Sequence, residues 1–584
     1  MKLRTLHALR KAIRCLQIFF FIPGAAFGQS SARNCVPPPS LTQELASHPS
    51  AAAYSALAGY FGERNEFSCA ISAFRSSLSL EPNSPQTHYY LGIALLAQGN
   101  TQEAVLEFHR SLKLQPNQPE AHLNLGAALS QLNQTDAAIE ELQTALEMDP
   151  KSATAIDWLS KAYISQKRYP AAIALLSKFP PDEVLEMDLV MAYSDSGSND
   201  KAAQLLKQMS HDQPASAVPH SGLATIYMRQ RRYEDAGNEF QEALRLNPHD
   251  DSTRAAYLQN LLLRSKFDIA LPIAKDFQQD RPDDFEALYL LGVVDRERGD
   301  YSEARALLLR AAKLNPRHYA ARYNLGLVYV KSGEPAAART ELEQAIQLDP
   351  ASAEAHFQLV SVLRSLGLPD QAREQLTIYQ SLMAERAHRD VAAAKANEAK
   401  ESLAKGEVPK AVQLYREAIE NDPKSSPLNY ELALALERSG DRNGEQTALL
   451  KAVELDPGFA AAHNQLGLLH MQTGQAVQGE NEFRTAISLN PHYAEAQNNL
   501  GVLYGQQGKD AEAAELFQAA IGSNPGYAQP YVNLAATLAS QSRFSEAESV
   551  LRKAIQLEPD NPEPRALLSQ VERQLGRQSI AHPE

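Results

Sequence analysis

The chain has 584 residues, 44% hydrophobic and 22% charged, which excludes a disordered polyelectrolyte and allows a continuous core. Its formal net charge of −14 disfavours nonspecific binding to nucleic acid or anionic lipid headgroups. Partners are expected among proteins.

In chain order, Lys2, Arg4, Arg10, Lys11 and Arg14 precede the apolar run CLQIFFFIPGAAFG, and Ala26 and Gly28 stand at small-residue positions before Gln29. Residues 1–28 read as a secretory signal peptide. The run is short for a membrane span, although an uncleaved anchor is the other reading. Cleavage removes five positive charges, takes the net charge from −14 to −19, and leaves no segment expected to insert in a membrane. The mature protein is thus expected to be exported: periplasmic, cell-surface or secreted.

A Pro-rich segment, 29–50, follows with Cys35 in NCVPPPS, and Cys69 falls on the second helix of the first repeat. In an exported protein an even pair invites a disulfide. Two unpaired thiols, with Cys69 simply a small buried residue, are the alternative.

From residue 51 a period takes over. Pro82, Pro116 and Pro150 are 34 residues apart, as are Pro214, Pro248, Pro282, Pro316 and Pro350, and then Pro423, Pro457, Pro491, Pro525 and Pro559. A fixed period of this size marks a repeat architecture. Within one period Tyr323, Leu325, Gly326 and Tyr329 fall at helical spacing, Gly333 breaks the run, and Ala338, Leu342, Ala345 and Ile346 resume it until Pro350. That pattern predicts a helical hairpin. Glycines recur at the break, where a helix C-terminus needs left-handed backbone. Others recur mid-helix (Gly92, Gly126, Gly292, Gly326, Gly467 and Gly501), where the cost of about 0.5–1 kcal/mol against alanine implies close helix packing.

These residues carry a resemblance to the tetratricopeptide repeat (TPR) family, whose signature positions are filled here by Leu500, Gly501, Tyr504, Ala513, Phe517, Ala520 and Pro525. Fifteen units start at 51, 85, 119, 153, 183, 217, 251, 285, 319, 353, 392, 426, 460, 494 and 528, followed by a capping helix at 562–576 and a tail at 577–584. The unit at 153 is four residues short, and Glu445 and Gly479 replace the signature alanine. The resemblance implies an all-α fold, an α-solenoid of tandem hairpins wound into a right-handed superhelix.

The spacing from Pro350 to Pro423 is 73 residues, five more than two periods, and residues 370–405 contain neither proline nor glycine. Alanine, lysine and glutamate dominate there. One reading is a long helix joining a first array of ten units, 51–386, to a second of five, 392–561, with 387–391 as an insert. The other is an ordinary hairpin with a longer turn near 387–391.

No zinc-protease, P-loop, Cys-x-x-Cys or nucleophile-elbow motif is present, so no catalytic residue, metal site or cofactor is expected. His88, His122, His220, His356 and His463 share one repeat position and read as packing and hydrogen-bonding residues. What remains is surface. In the family the outward stripe of the first helices lines a concave groove for extended peptides. Its sixth position holds Asn124, Asn324, Asn397, Asn499 and Asn533, with Gln358 and Gln465 equivalent, and carboxamides both donate and accept. This is similar to the asparagine ladder in the TPR superhelix of O-linked N-acetylglucosamine transferase; the alternative is that these groups only tie neighbouring helices together. Aromatics at the fifth position, Tyr323 among them, are either ligand anchors or packing. Trp158, the single tryptophan, takes the sixth position of the short unit, facing either groove or core. The expected function is an exported, non-catalytic scaffold binding proteins or extended peptides, with a targeting or regulatory subunit of a cell-envelope enzyme, such as a glycosyltransferase, as the alternative.

Overall fold

The computed structural model describes residues 35–179 and 183–581; the signal peptide expected at 1–28 lies outside them. Within the described residues the chain forms 31 helices and no strand. Apart from a first helix at Pro39–Ser47 and a last at Pro562–Ala581, they run as tandem hairpins such as Tyr319–Lys331 with Pro335–Leu348, with one helix, Pro369–Ala404, serving both the hairpin before it and the one after.

Each hairpin turns on one residue with positive φ. Glycine supplies it nine times, from Gly99 to Gly508, but Asn65, Asn133, Lys167, Arg231, Ser265 and Ser542 hold the same position at φ of 54–61°. Glycine reaches this backbone without strain, whereas an L-residue with a Cβ does so at a cost of about 1–2 kcal/mol. The mid-helix glycines meet the close approach their cost implied. A Cβ on Gly326 would lie 2.9 Å from Leu342 Cγ, and one on Gly501 2.7 Å from the Phe517 ring. The signature alanines Ala104, Ala138, Ala304, Ala338 and Ala513 are fully buried opposite them. Glu445 and Gly479, which replace that alanine, differ in consequence. Glu445 is buried, which raises the pKa of its carboxyl, with nearby Glu437 adding to the rise and a hydrogen bond to Gln465 opposing it. Gly479 leaves its helix close to the Gly467 carbonyl, 3.1 Å from where a Cβ would stand.

The chain divides into two compact bodies, one ending at Ser198 and the other beginning at Asn199. In the first, a core runs from Ala58 and Phe61 through Leu91, Leu95 and Phe108 to Leu125 and Ala138. Cys35 and Cys69 form a disulfide, their Cα atoms 5.6 Å apart. It holds the segment leading to Pro39–Ser47, a helix with no buried residue of its own, onto the first hairpin. The short unit owes its length to its second helix, Tyr169–Leu176, eight residues where that of the preceding unit has 14. Ile156, Leu176 and Leu185 close the space with a small cluster of their own.

In the second body, residues Pro369–Ala404 form one helix of 36 residues, about 54 Å long at 1.5 Å per residue. No turn interrupts it at 387–391. Its start is anchored by Ala372, buried with Leu359 and Leu363, and its end by Ala396 and Ala399, packed with Val412 and Tyr415. Between these anchors every residue from 383 to 391 is exposed, so strong intrinsic propensity carries the helix where packing does not. The last helix covers the end of the core with Leu567, Leu568, Val571 and Leu575. It exposes Glu563, Arg565, Glu572, Arg573 and Gln574, the polar outer face of a cap.

Candidate functional site

The sixth-position carboxamides reach sideways to the preceding hairpin. Asn124 Nδ2 donates to the Tyr89 hydroxyl at 3.1 Å, and Asn324 Nδ2 to the Tyr289 hydroxyl at 3.3 Å. Asn499 Nδ2 donates to Asn464 Oδ1 at 3.0 Å, and Asn533 Nδ2 to Asn498 Oδ1 at 2.8 Å. Each of these bonds spans 35 residues: the sixth position of one hairpin engages the fifth of the one before. A tyrosine hydroxyl and an asparagine oxygen serve interchangeably as the acceptor. Gln465 makes a variant of the same tie, donating to Glu437 Oε2 at 2.9 Å. Asn324 is the most engaged, since it also donates to the Ala320 carbonyl at 2.7 Å and accepts from the Arg296 guanidinium. Asn397 is exposed and Gln358 half-buried.

Tyr323 is half-buried and stacks on Tyr319, ring centroids 5.8 Å apart. Trp158 is half-buried against the cluster of Ile139, Leu142, Leu159 and Ala162. The fourth-position histidines brace the turn between hairpins. His88 Nε2 donates to the Pro82 carbonyl at 2.9 Å while its Nδ1 meets Glu107 at 2.6 Å. His122 and His463 repeat both contacts, with Pro116 and Glu141 and with Pro457 and Glu482. In His356 a glutamine, Gln375, replaces the glutamate. Where histidine is missing, Arg254, Gln497 and Tyr531 donate to the same carbonyls, those of Pro248, Pro491 and Pro525. In these hairpins four kinds of donor side chain meet the proline carbonyl from the same position, which braces the turn, whereas His220 meets Glu239 at 2.7 Å and Asn429 donates to the Ser425 carbonyl. Those prolines anchor the brace.

One buried acidic pair stands apart. Asp188 accepts from the Ser160 hydroxyl at 2.8 Å, and Asp157 pairs with Lys161. Burial, reinforced by the neighbouring Asp157, pushes the Asp188 carboxyl up to about 7. Among the described residues no group of three His, Cys, Asp or Glu side chains is placed to hold a metal ion, and no helix is long and apolar enough to cross a membrane.

The sequence reading missed a set of aromatics at the entrances of first helices. Phe459, Tyr493 and Tyr527, 34 residues apart, are the N-cap residues of Ala460–Gln472, Ala494–Gln506 and Ala528–Ser540. Phe459 lies 5.0 Å from the fifth-position Tyr430 of the preceding hairpin. The signal was present in the 34-residue spacing, but these positions precede the helical stripe.

Two models described as tetratricopeptide repeat match the chain, one over residues 95–155, 129–186, 193–262, 295–345 and 504–571, the other over 55–119, 259–318, 323–381, 396–458 and 464–528. No curated protein matches. Among solved structures, MamA is 25% identical with a TM-score of 0.26, covering 28% of this chain and 94% of its own. Yeast Tom70 is 15% identical with a TM-score of 0.32, covering 91% of this chain and 97% of its own. The Cut9–Hcn1 complex of the APC/C gives 14% identity and a TM-score of 0.31, covering 84% of this chain and 98% of its own. With the second model alone matching more than half of its residues, the chain belongs to the tetratricopeptide repeat family.

Proposed function

We propose that the protein is an exported, non-catalytic scaffold that binds proteins or extended peptides on the first-helix faces of its hairpins, in the manner of the TPR superhelix of O-linked N-acetylglucosamine transferase. The observation that carries this reading is the fifteenfold repetition of one hairpin from residue 51 to 561, which devotes the chain to surface. The half-buried fifth-position aromatics and the accessible carboxamides of Asn397 and Gln358 supply anchors and hydrogen-bonding groups on that face. Export is supported by the sequence of residues 1–28 and by the Cys35–Cys69 disulfide, a bond that persists in oxidising compartments. A mature net charge of −19 favours protein partners over nucleic acid.

The test is in vivo crosslinking of the chain expressed from its full sequence with a C-terminal tag, followed by identification of the captured proteins and cell fractionation. Discrete partners in the envelope or medium support the scaffold. A single dominant enzyme would favour the targeting-subunit reading, and retention of the uncleaved chain in the cytosol would refute export.

A further inference from the structure

The long helix takes a neighbour away from the hairpin it completes. Elsewhere a fifth-position aromatic is met by the following hairpin: Tyr89 by Asn124, Tyr289 by Asn324, Tyr430 by Phe459. In the hairpin of Ala353–Ser365 with the start of Pro369–Ala404 that place is open. Ala372 is buried with Leu359 and Leu363, and Ala399, 27 residues on, is buried with Val412 and Tyr415 of the next hairpin. At 3.6 residues per turn those residues make about seven and a half turns and about 40 Å, so the next hairpin packs far along the helix and on its opposite side. The edge left behind is apolar. Phe357, at the fifth position, is 50% exposed, whereas Tyr89, Tyr289, Tyr323 and Tyr430 are half-buried. Its ring lies 5.1 Å from that of Tyr379. Leu376, Tyr379 and Met383 fall three and four residues apart, on one helix face. Met383, 38% exposed, is the first residue beyond the length of a 14-residue second helix such as Pro335–Leu348.

We propose that two copies of the chain associate through this edge, with Phe357, Tyr379 and Met383 of one packed on the same residues of the other. The inference goes beyond the scaffold reading and stands without it. The chain covers both ends of its stack itself, the first hairpin with the disulfide-tied segment leading to Pro39–Ser47 and the last with the final helix. This internal edge has no such cover among the described residues, and a second copy is the one partner present wherever the chain is. Clustered exposed apolar groups mark interaction sites, and aromatic and methionine side chains are enriched at interface centres. Charge points to the same occupant. On Ala353–Ser365 and residues 383–391 the exposed carboxylates Glu354, Glu385 and Asp390 are matched by the exposed guanidiniums Arg364, Arg386 and Arg389, Glu354 and Arg386 pairing at 3.4 Å. A surface carrying both signs complements itself across a two-fold axis. On a chain of net charge −14, whose copies repel in general, this neutral stretch is where a second copy approaches without that penalty.

The probe is the chain itself, purified from cells expressing its full sequence. Sedimentation equilibrium from about 1 to about 100 μM, the range in which an interface of modest size associates, should show the molar mass doubling. Phe357→Glu and Met383→Glu, both at exposed positions, should each weaken the dimer at least tenfold. Val477→Glu, at a residue 71% exposed on the second helix Ala476–Leu489, should dimerise like the parent. Circular dichroism checks that each variant is folded; if one is not, the other decides. A parent chain that stays monomeric, a dimer that survives either folded edge variant, or equal loss in V477E overturns the proposal. So does a photoreactive residue at position 383 that captures a different protein in cells and no second copy. The scaffold reading is judged separately, by whether envelope partners are captured.

Discussion

Asn324 is buried and makes three side-chain hydrogen bonds, to the Tyr289 hydroxyl, the Ala320 carbonyl and the Arg296 guanidinium. Replacing it with alanine leaves the Arg296 donor and the Tyr289 hydroxyl acceptor to find other partners at the junction of two hairpins. Neutral bonds of this kind contribute about 0.5–1.5 kcal/mol each, and bonds to charged groups about 1.5–3 kcal/mol. Solvent access to Arg296 offsets part of the sum, so the expected net loss is about 2 kcal/mol. A repeat array need not unfold in one step, which makes a global melting temperature a blunt readout. Native-state hydrogen exchange of the helices Phe285–Arg298 and Tyr319–Lys331 is sharper, and about 2 kcal/mol corresponds to exchange roughly thirty-fold faster there. Tyr289→Phe should cost less alone, and the double variant less than the sum of the two. If N324A exchanges like the parent chain, the carboxamides are not ties and their stripe belongs to a ligand.

Three further outcomes are expected. Gly501→Ala gains about 1 kcal/mol of helix propensity but drives a Cβ to 2.7 Å from the buried Phe517 ring; overpacking of about 1–3 kcal/mol should win, and denaturant titration showing net stabilisation would refute the close-packing argument. Arg231→Gly, at an exposed turn with φ of 59°, should stabilise its hairpin by about 0.5–1 kcal/mol, read as slower local exchange. Asp188, whose carboxyl is raised to about 7 in the fold by burial, binds its proton more tightly folded than unfolded, so its contribution is present below about pH 4 and is lost as pH rises through about 7. Asp188→Asn should therefore flatten the fall in stability of the first body over that window, and an unchanged pH profile would show the acid to be ordinary.

The period, the hairpins and the long helix were legible because each rests on local chemistry: glycine where φ turns positive, small residues where helices meet, and uninterrupted helix formers from 370 to 405. The turn residues Lys167 and Arg231 were not, because nothing local marks a lysine or arginine as left-handed; only the fixed distance to the neighbouring turns assigns them. The carboxamides were legible as a pattern but not in direction. Asn499 on a helix surface can point along the stripe or back to its neighbour, and what decides is the acceptor 35 residues earlier, Asn464. Trp158 was ambiguous because a half-buried side chain, packed on Ile139, Leu142, Leu159 and Ala162, serves neither groove nor core alone.

The central claim, that partners bind the first-helix face, is tested most directly by placing a photoreactive residue at Asn397, exposed on that face, and in a second variant at Gln413, exposed on a second helix. Irradiation in intact cells should give discrete protein adducts from position 397 and few from 413. The same adducts from both positions, or adducts from 413 alone, would contradict the account.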